Sequence, residues 1–294
     1  MSLNKPVYKL LDWIDIENLD WEMLSLNKNA ISLLEENPDE IDWVFLSENK
    51  NAIKLLEENQ DIIDWESLSL NKNAIKLLKN NSDYIDWDTL ARNKNAIKIL
   101  EENLDNINWH SLSYNKNAIH LLEKNLDKFN WDNLVENENA IHIIEENFDN
   151  INSKYLSLNK NAIHLLENNP EKINWQFLSS NKNAIHLLEK NTDKINWNSL
   201  SNNPNAIDLL KENLDKINWE NLSRNKNAIQ LLKENQDKID WYYLSSNPSI
   251  FELDYEKMRE NNQTMYEDLI KEVMKPSRVF KNPDYDYLEE LFGD

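Results

Sequence analysis

The sequence contains no cysteine, which excludes a disulfide framework and thiolate chemistry and fits an intracellular chain. It contains one glycine, Gly293, so the glycine-rich loops that cradle phosphates or dinucleotides have no material here. No cofactor is expected on that ground. The opening stretch MSLNKPVYKL holds no apolar leader, and no apolar run approaches the roughly 18 residues that cross a bilayer. The chain is therefore expected to be neither secreted nor bound to a membrane. Basic residues are also few, with Lys+Arg 32 against Asp+Glu 53 and a net charge of −21. Such a surface repels nucleic-acid phosphates and anionic lipid, so neither is an expected partner.

What the sequence has in abundance is repetition. Tryptophan recurs at Trp21, Trp43, Trp65, Trp87, Trp109 and Trp131, then at Trp175, Trp197, Trp219 and Trp241, with Ser153 in the one missing slot. A fixed period of this length indicates a solenoid or similar array. With Trp as position one, the unit reads W-x-x-L-S-x-N-K-N-A-I-x-L-L-E-x-N-x-D-x-I-[DN]. Asp or Asn before each Trp (Asp20, Asp42, Asn108, Asn174) is suited to cap a first short helix. Asn at position seven, followed by Pro204 and Pro248 where position eight varies, predicts the cap of a second helix. That helix is expected to close at the Asn of position seventeen in a left-handed conformation, with Pro38 and Pro170 directly after it.

Helices this short are marginal alone, so they must stabilise one another by stacking. The fold expected is all-α, a solenoid of about ten helix-turn-helix units, roughly 80 to 100 Å long if layers stack at helix-packing distances. Residues 1–20 read as an N-terminal capping half unit, 21–248 as the solenoid, and 249–294 as a C-terminal capping helix with an acidic tail. Within the last, 255–275 form an amphipathic helix that points Met258, Met265, Tyr266, Leu269, Ile270 and Val273 at the final layer, and Pro276 stops it.

The unit INWxxLSxNKNAIHLLExNxDKI, as in residues 173–195, resembles the short tandem repeats of many proteins of giant DNA viruses of the mimivirus type. The likeness covers nearly the whole chain, including M-K-P-S-R-V at 274–279. It implies a viral protein acting in the host cytoplasm through protein contacts, and brings no reaction, substrate or catalytic residue with it.

His120, His142, His164 and His186 share position twelve in four successive units. Packed helices lie about 8 to 10 Å apart, whereas two nitrogens on one zinc must lie within roughly 4 Å of each other, so a solvated face is expected and no metal. The Asn columns are expected to cap helix ends and bridge layers. The Trp column is expected in the core, and Tyr155 to fill part of the space at Ser153. No His-Glu-x-x-His pattern or repeated Ser and His pairing suggests catalysis, and the chain is not expected to be an enzyme.

Positions freed from stacking are available for binding. Position three holds Met23, Phe45, Tyr155, Phe177 and Tyr243, and position six holds Leu26, Leu70, Tyr114 and Leu158. Three and six lie one helical turn apart and share a face, which is the expected protein-binding surface. The function that follows is a non-catalytic scaffold for one or more proteins. A self-associating structural or virion component is the alternative, with an acidic mimic of nucleic acid behind it.

Overall fold

The computed structural model describes residues 6–273. Contacts divide the chain into the array Leu10–Phe251 and a second unit whose described residues are 6–9 and 252–273.

The array is an all-α repeat solenoid. In its opening unit a first helix spans Trp21–Leu26, a second spans Ile31–Glu36, and one turn of 3-10 helix, Pro38–Glu40, follows. The next unit repeats this as Trp43–Glu48, Ile53–Glu58 and Gln60–Ile62. Local chemistry sets each boundary. The carboxylate of Asp42 accepts the backbone N–H of Phe45 at 3.0 Å and starts the first helix. The hydroxyl of Ser25 donates to the Trp21 carbonyl at 2.8 Å and accepts the N–H of Asp42 at 3.0 Å, tying the helix to the end of its own unit.

Two boundaries differ from expectation. The second helix begins four residues after the Asn of position seven. That side chain closes a tight turn first, Asn49 Oδ1 accepting the N–H of Asn51 at 3.1 Å, so helical bonding starts only at the Ala52 carbonyl. Nor does the helix end in a left-handed residue, for none of the described residues has a positive φ. Asn37 sits at φ −132° and its amide donates back to the Leu33 carbonyl at 2.8 Å, satisfying the helix end with a side chain.

Leu at position four, Ala at position ten and Leu or Ile at position fourteen are fully buried in unit after unit, as in Leu46, Ala52 and Leu56, and the Ile of position twenty-one closes the layer. Between layers runs a column of buried amides. The Asn49 amide donates to the carbonyls of Ser25 at 2.9 Å and Asn27 at 3.0 Å, and Asn71, Asn93 and Asn115 do the same to the unit before. Asn51 adds a bond to the Lys28 carbonyl at 2.7 Å. A buried backbone carbonyl left without such a donor costs about 1–3 kcal/mol, which explains why these columns barely vary.

The array does not run between two free ends. Asn27 of the first unit donates to the carbonyls of Ser245 at 2.8 Å and Asn247 at 3.0 Å, and Asn29 to that of Pro248 at 2.9 Å. The N–H of Asp20 bonds the Ser245 hydroxyl at 2.8 Å. These are the bonds that join any two neighbours, so the array closes into a ring. Ten complete units begin at Trp21 and end at Asp240, as expected, and an eleventh is assembled from both ends of the chain. Its first helix is Trp241–Ser245 and its turn Pro248–Ile250, while its 3-10 segment, Ile16–Asn18, comes from the N-terminal stretch, in register with Pro38–Glu40. Of the residues read as a cap, 10–20 thus supply the missing half of the last unit.

Closure gives the ring an inner side. First helices of neighbouring units pack closely, and there a short asparagine amide spans the layer boundary directly to the backbone. At the second helices, bridging takes two long side chains, as between His142 and Glu123. The first helices and the turns after them therefore form the inner circumference.

Two short strands, Tyr8–Leu10 (β1) and Phe251–Leu253 (β2), pair in a two-stranded sheet that the sequence did not announce. In the array the N–H of Leu11 bonds the Ile250 carbonyl at 2.9 Å; in the second unit the N–H of Asp254 bonds that of Val7 at 2.9 Å. The second unit continues as a helix over Tyr255–Val273. Met258 is half-buried, but Ile270 is 59% exposed and does not belong to a buried face. The side chains of Met265, Tyr266, Leu269 and Val273, and everything from residue 274 onward, including Pro276, lie outside what is described. Among the described residues no helix is long and apolar enough to cross a membrane.

Candidate protein-binding face

The candidate side chains sit on the first helices, so the ring gathers them along its inner side. Met23, Phe45, Tyr155, Phe177 and Tyr243 at position three are all half-buried, as are Leu26, Tyr114 and Leu158 at position six, while Leu70 is 37% exposed. One pair touches across a unit boundary, and two more candidates meet basic side chains of the unit before. Tyr155 stacks on Phe177 with centroids 5.4 Å apart, and Lys154 lies over both rings. Arg224 lies 3.5 Å over Tyr243, and Arg92 lies 5.1 Å over Tyr114, whose hydroxyl donates to Asn133 at 2.9 Å. Phe45 has no ring partner among the described residues. The candidates thus form separate clusters along the face.

Beside this face runs a column that sequence reasoning used only to place a helix start. Position eight is lysine in eight units: Lys28, Lys50, Lys72, Lys94, Lys116, Lys160, Lys182 and Lys226. Burial, and then the neighbouring Lys94, Lys50 and Lys116, hold the Lys72 ammonium below the ordinary lysine range. A groove of about 350 Å³ lies between positions six and eight over four units, lined among others by Leu70, Arg92 and Tyr114 on one side and Lys72, Lys94 and Lys116 on the other. The signal was in the sequence, as an almost unbroken cation column in an acidic chain.

Two carboxylates near this column are held in their protonated direction. Burial, followed by the nearby Asp64, raises the pKa of Glu48; burial raises that of Glu136 against the opposing pull of Arg92. Glu138 behaves oppositely. Burial works to raise it, but bridges to Lys116, at 2.9 Å, and Lys160 outweigh burial and leave it lowered.

The remaining columns serve the array itself. Each position-twelve histidine pairs with the position-fifteen glutamate of the preceding unit: His120 with Glu101, His142 with Glu123, His164 with Glu145 and His186 with Glu167, at 2.7 to 2.9 Å. No group of three metal-ligating side chains converges among the described residues. The tryptophans are half-buried rather than wholly in the core, because one face is covered by the position-twenty side chain of the same unit. Lys128, Lys194, Lys216 and Lys238 lie 4.6 to 4.9 Å over Trp109, Trp175, Trp197 and Trp219, and Tyr84 stacks on Trp65 at 4.9 Å.

At Ser153 the same lysine reveals what replaces the indole. Lys172 lies 4.0 Å over Phe148. Phe148 is half-buried, whereas Leu104, Leu126 and Leu214 at its position are exposed, so this ring has turned inward to serve the slot. Tyr155, expected to fill it, is instead stacked on Phe177.

No protein-family model, curated protein or solved structure matches the chain.

Proposed function

We propose that the protein is a non-catalytic scaffold that binds other proteins along the inner, first-helix side of its ring. The observation that carries this reading is the division of labour within the unit. Positions four, five, seven, nine, ten and fourteen hold the ring together and hardly change. Positions two, three and six face outward from that framework and change from unit to unit, including apolar groups such as Val44, 51% exposed, and Leu70. Variable and partly apolar side chains on an accessible side of an invariant frame suit recognition of partners, in the way repeat arrays present a continuous surface. The likeness to giant-virus repeats suggests that those partners belong to the cytoplasm of an infected host.

The test is affinity capture from infected-cell lysate with wild type beside a Leu26→Ser, Leu70→Ser, Leu158→Ser variant of unchanged melting temperature. Proteins captured by wild type and lost by the variant support the scaffold. Equal capture by both places binding elsewhere, and capture of nothing but the bait favours self-association.

A further inference from the structure

We infer that the groove between positions six and eight over units two to five is a docking track for an acidic, extended peptide segment of a partner protein; this deepens the scaffold reading and rests on it. The chemistry begins with unpaired charge. Lys72, Lys94 and Arg92 line the groove and have no ion pair among the described residues, and Lys116 is the only one of its four cations that does. Against them the groove holds one carboxylate, Glu48, which burial already pushes toward its neutral form. Crowding of like charges costs stability unless an anion relieves it. A chain with net charge −21 nonetheless keeps lysine at this position in five successive units, from Lys28 to Lys116.

The ring itself shows what relieves it. In the sixth unit the column substitutes Glu138 for lysine, and that carboxylate is held between Lys116 and Lys160, one unit to either side. Lysines of this column therefore reach a carboxylate one unit away, and no such resident anion stands among Lys50, Lys72 and Lys94 in the described residues. Alternate side chains of an extended peptide recur about every 7 Å, close to the roughly 8 Å at which tightly packed helices repeat. Glutamates on alternate residues can thus address successive lysines. The other wall supplies Leu70, 37% exposed, for apolar residues of the same peptide.

A single-stranded nucleic acid is the other polyanion that lysine and aromatic rows can serve, and the groove suits it less. Base stacking needs free ring faces. Tyr114 already carries Arg92 over its ring and has its hydroxyl bonded to Asn133.

The experiment is fluorescence anisotropy on the full chain with a labelled decapeptide alternating glutamate with leucine and tyrosine. A decapeptide with glutamine for glutamate and a labelled oligothymidylate of ten nucleotides serve as comparisons. We expect the glutamate peptide to bind at least about tenfold more tightly than either, and to weaken as salt is raised through the physiological range. Lys72→Gln with Lys94→Gln should weaken it by about tenfold or more, while Lys54→Gln with Lys76→Gln, on the second helices, should leave it unchanged. Equal affinity for the two peptides, tighter binding of the oligothymidylate, or no binding by wild type would each overturn the inference. If the peptide fails while the position-six variant still loses its captured partners, the scaffold stands and only this track falls.

Discussion

The side-chain amide of Asn27 donates to the carbonyl of Ser245 at 2.8 Å across 218 residues of sequence, and the equivalent amide of Asn49 donates to Ser25 at 2.9 Å across 24. Nothing in the local geometry distinguishes the closure from an internal joint. The same bond type that stacks the units also removes the ends of the stack.

That equivalence gives the first prediction. Asn27→Ala should lower the urea midpoint as much as Asn115→Ala, each leaving buried carbonyls unsatisfied at a cost of about 1–3 kcal/mol. In an open array the Asn27 amide would face water and its loss would cost only a few tenths. A clear gap between the two variants, with Asn27→Ala the milder, would speak against closure.

Ser153→Trp should destabilise the protein by about 1–3 kcal/mol, because Phe148 already serves the indole's place and the larger ring overpacks it. Pairing it with Phe148→Gln, the residue type that unit two carries there as Gln60, should recover most of the loss. A melting temperature raised by the single substitution would show the slot to be vacant after all.

The lysine and tryptophan pairs are accessible to a double-mutant cycle. Lys238→Ala and Trp219→Leu, singly and together, should report a coupling of about 0.5–1 kcal/mol from the ammonium lying 4.8 Å over the indole. Coupling indistinguishable from zero would reduce position twenty to a solvated side chain.

Glu138 sets a pH dependence with a definite sign. Its pKa is lowered below 4.5 in the folded chain by Lys116 and Lys160, against the effect of burial, so its contribution is present above the unfolded value and is lost as pH falls through the folded one. Glu138→Gln should therefore cost stability at neutral pH and little in acid below the carboxylate range. Glu136 runs the other way, its raised pKa making Glu136→Gln stabilising at neutral pH, where the wild-type carboxylate pays for burial, with the difference fading as pH falls. Urea midpoints of both variants across the acid range check the two signs.

Much of this was legible in the sequence because the array writes each constraint many times. The Trp spacing, the Asp or Asn caps and the interlayer asparagines follow from columns that repeat unit by unit. Features that occur once were not legible. Nothing local in Ile16–Asn18 says that it completes a unit begun at Trp241, since the pairing is decided by the accumulated curvature of ten units rather than by either segment. Phe148 looked like an ordinary variable residue, and only Lys172 above its ring identifies its role. The 3-10 turn at positions eighteen to twenty was missed because its sequence varies from Pro38-Asp39-Glu40 to Leu214-Asp215-Lys216, with no apolar period to read. For the binding face, position was legible and grouping was not. The helix period placed positions three and six together, but which residues touch across units, and that the lysines of position eight share their groove, depends on the inward convergence that closure imposes.

The absence of native cysteine makes closure directly measurable. Spin labels at Tyr242→Cys and Glu22→Cys report the distance between position two of the eleventh and first units, and labels at Glu22→Cys and Val44→Cys report it for the first and second. Electron–electron resonance should give the same narrow distance distribution for both pairs. A first pair separated by several times the distance of the second would mean an open array and would contradict the ring.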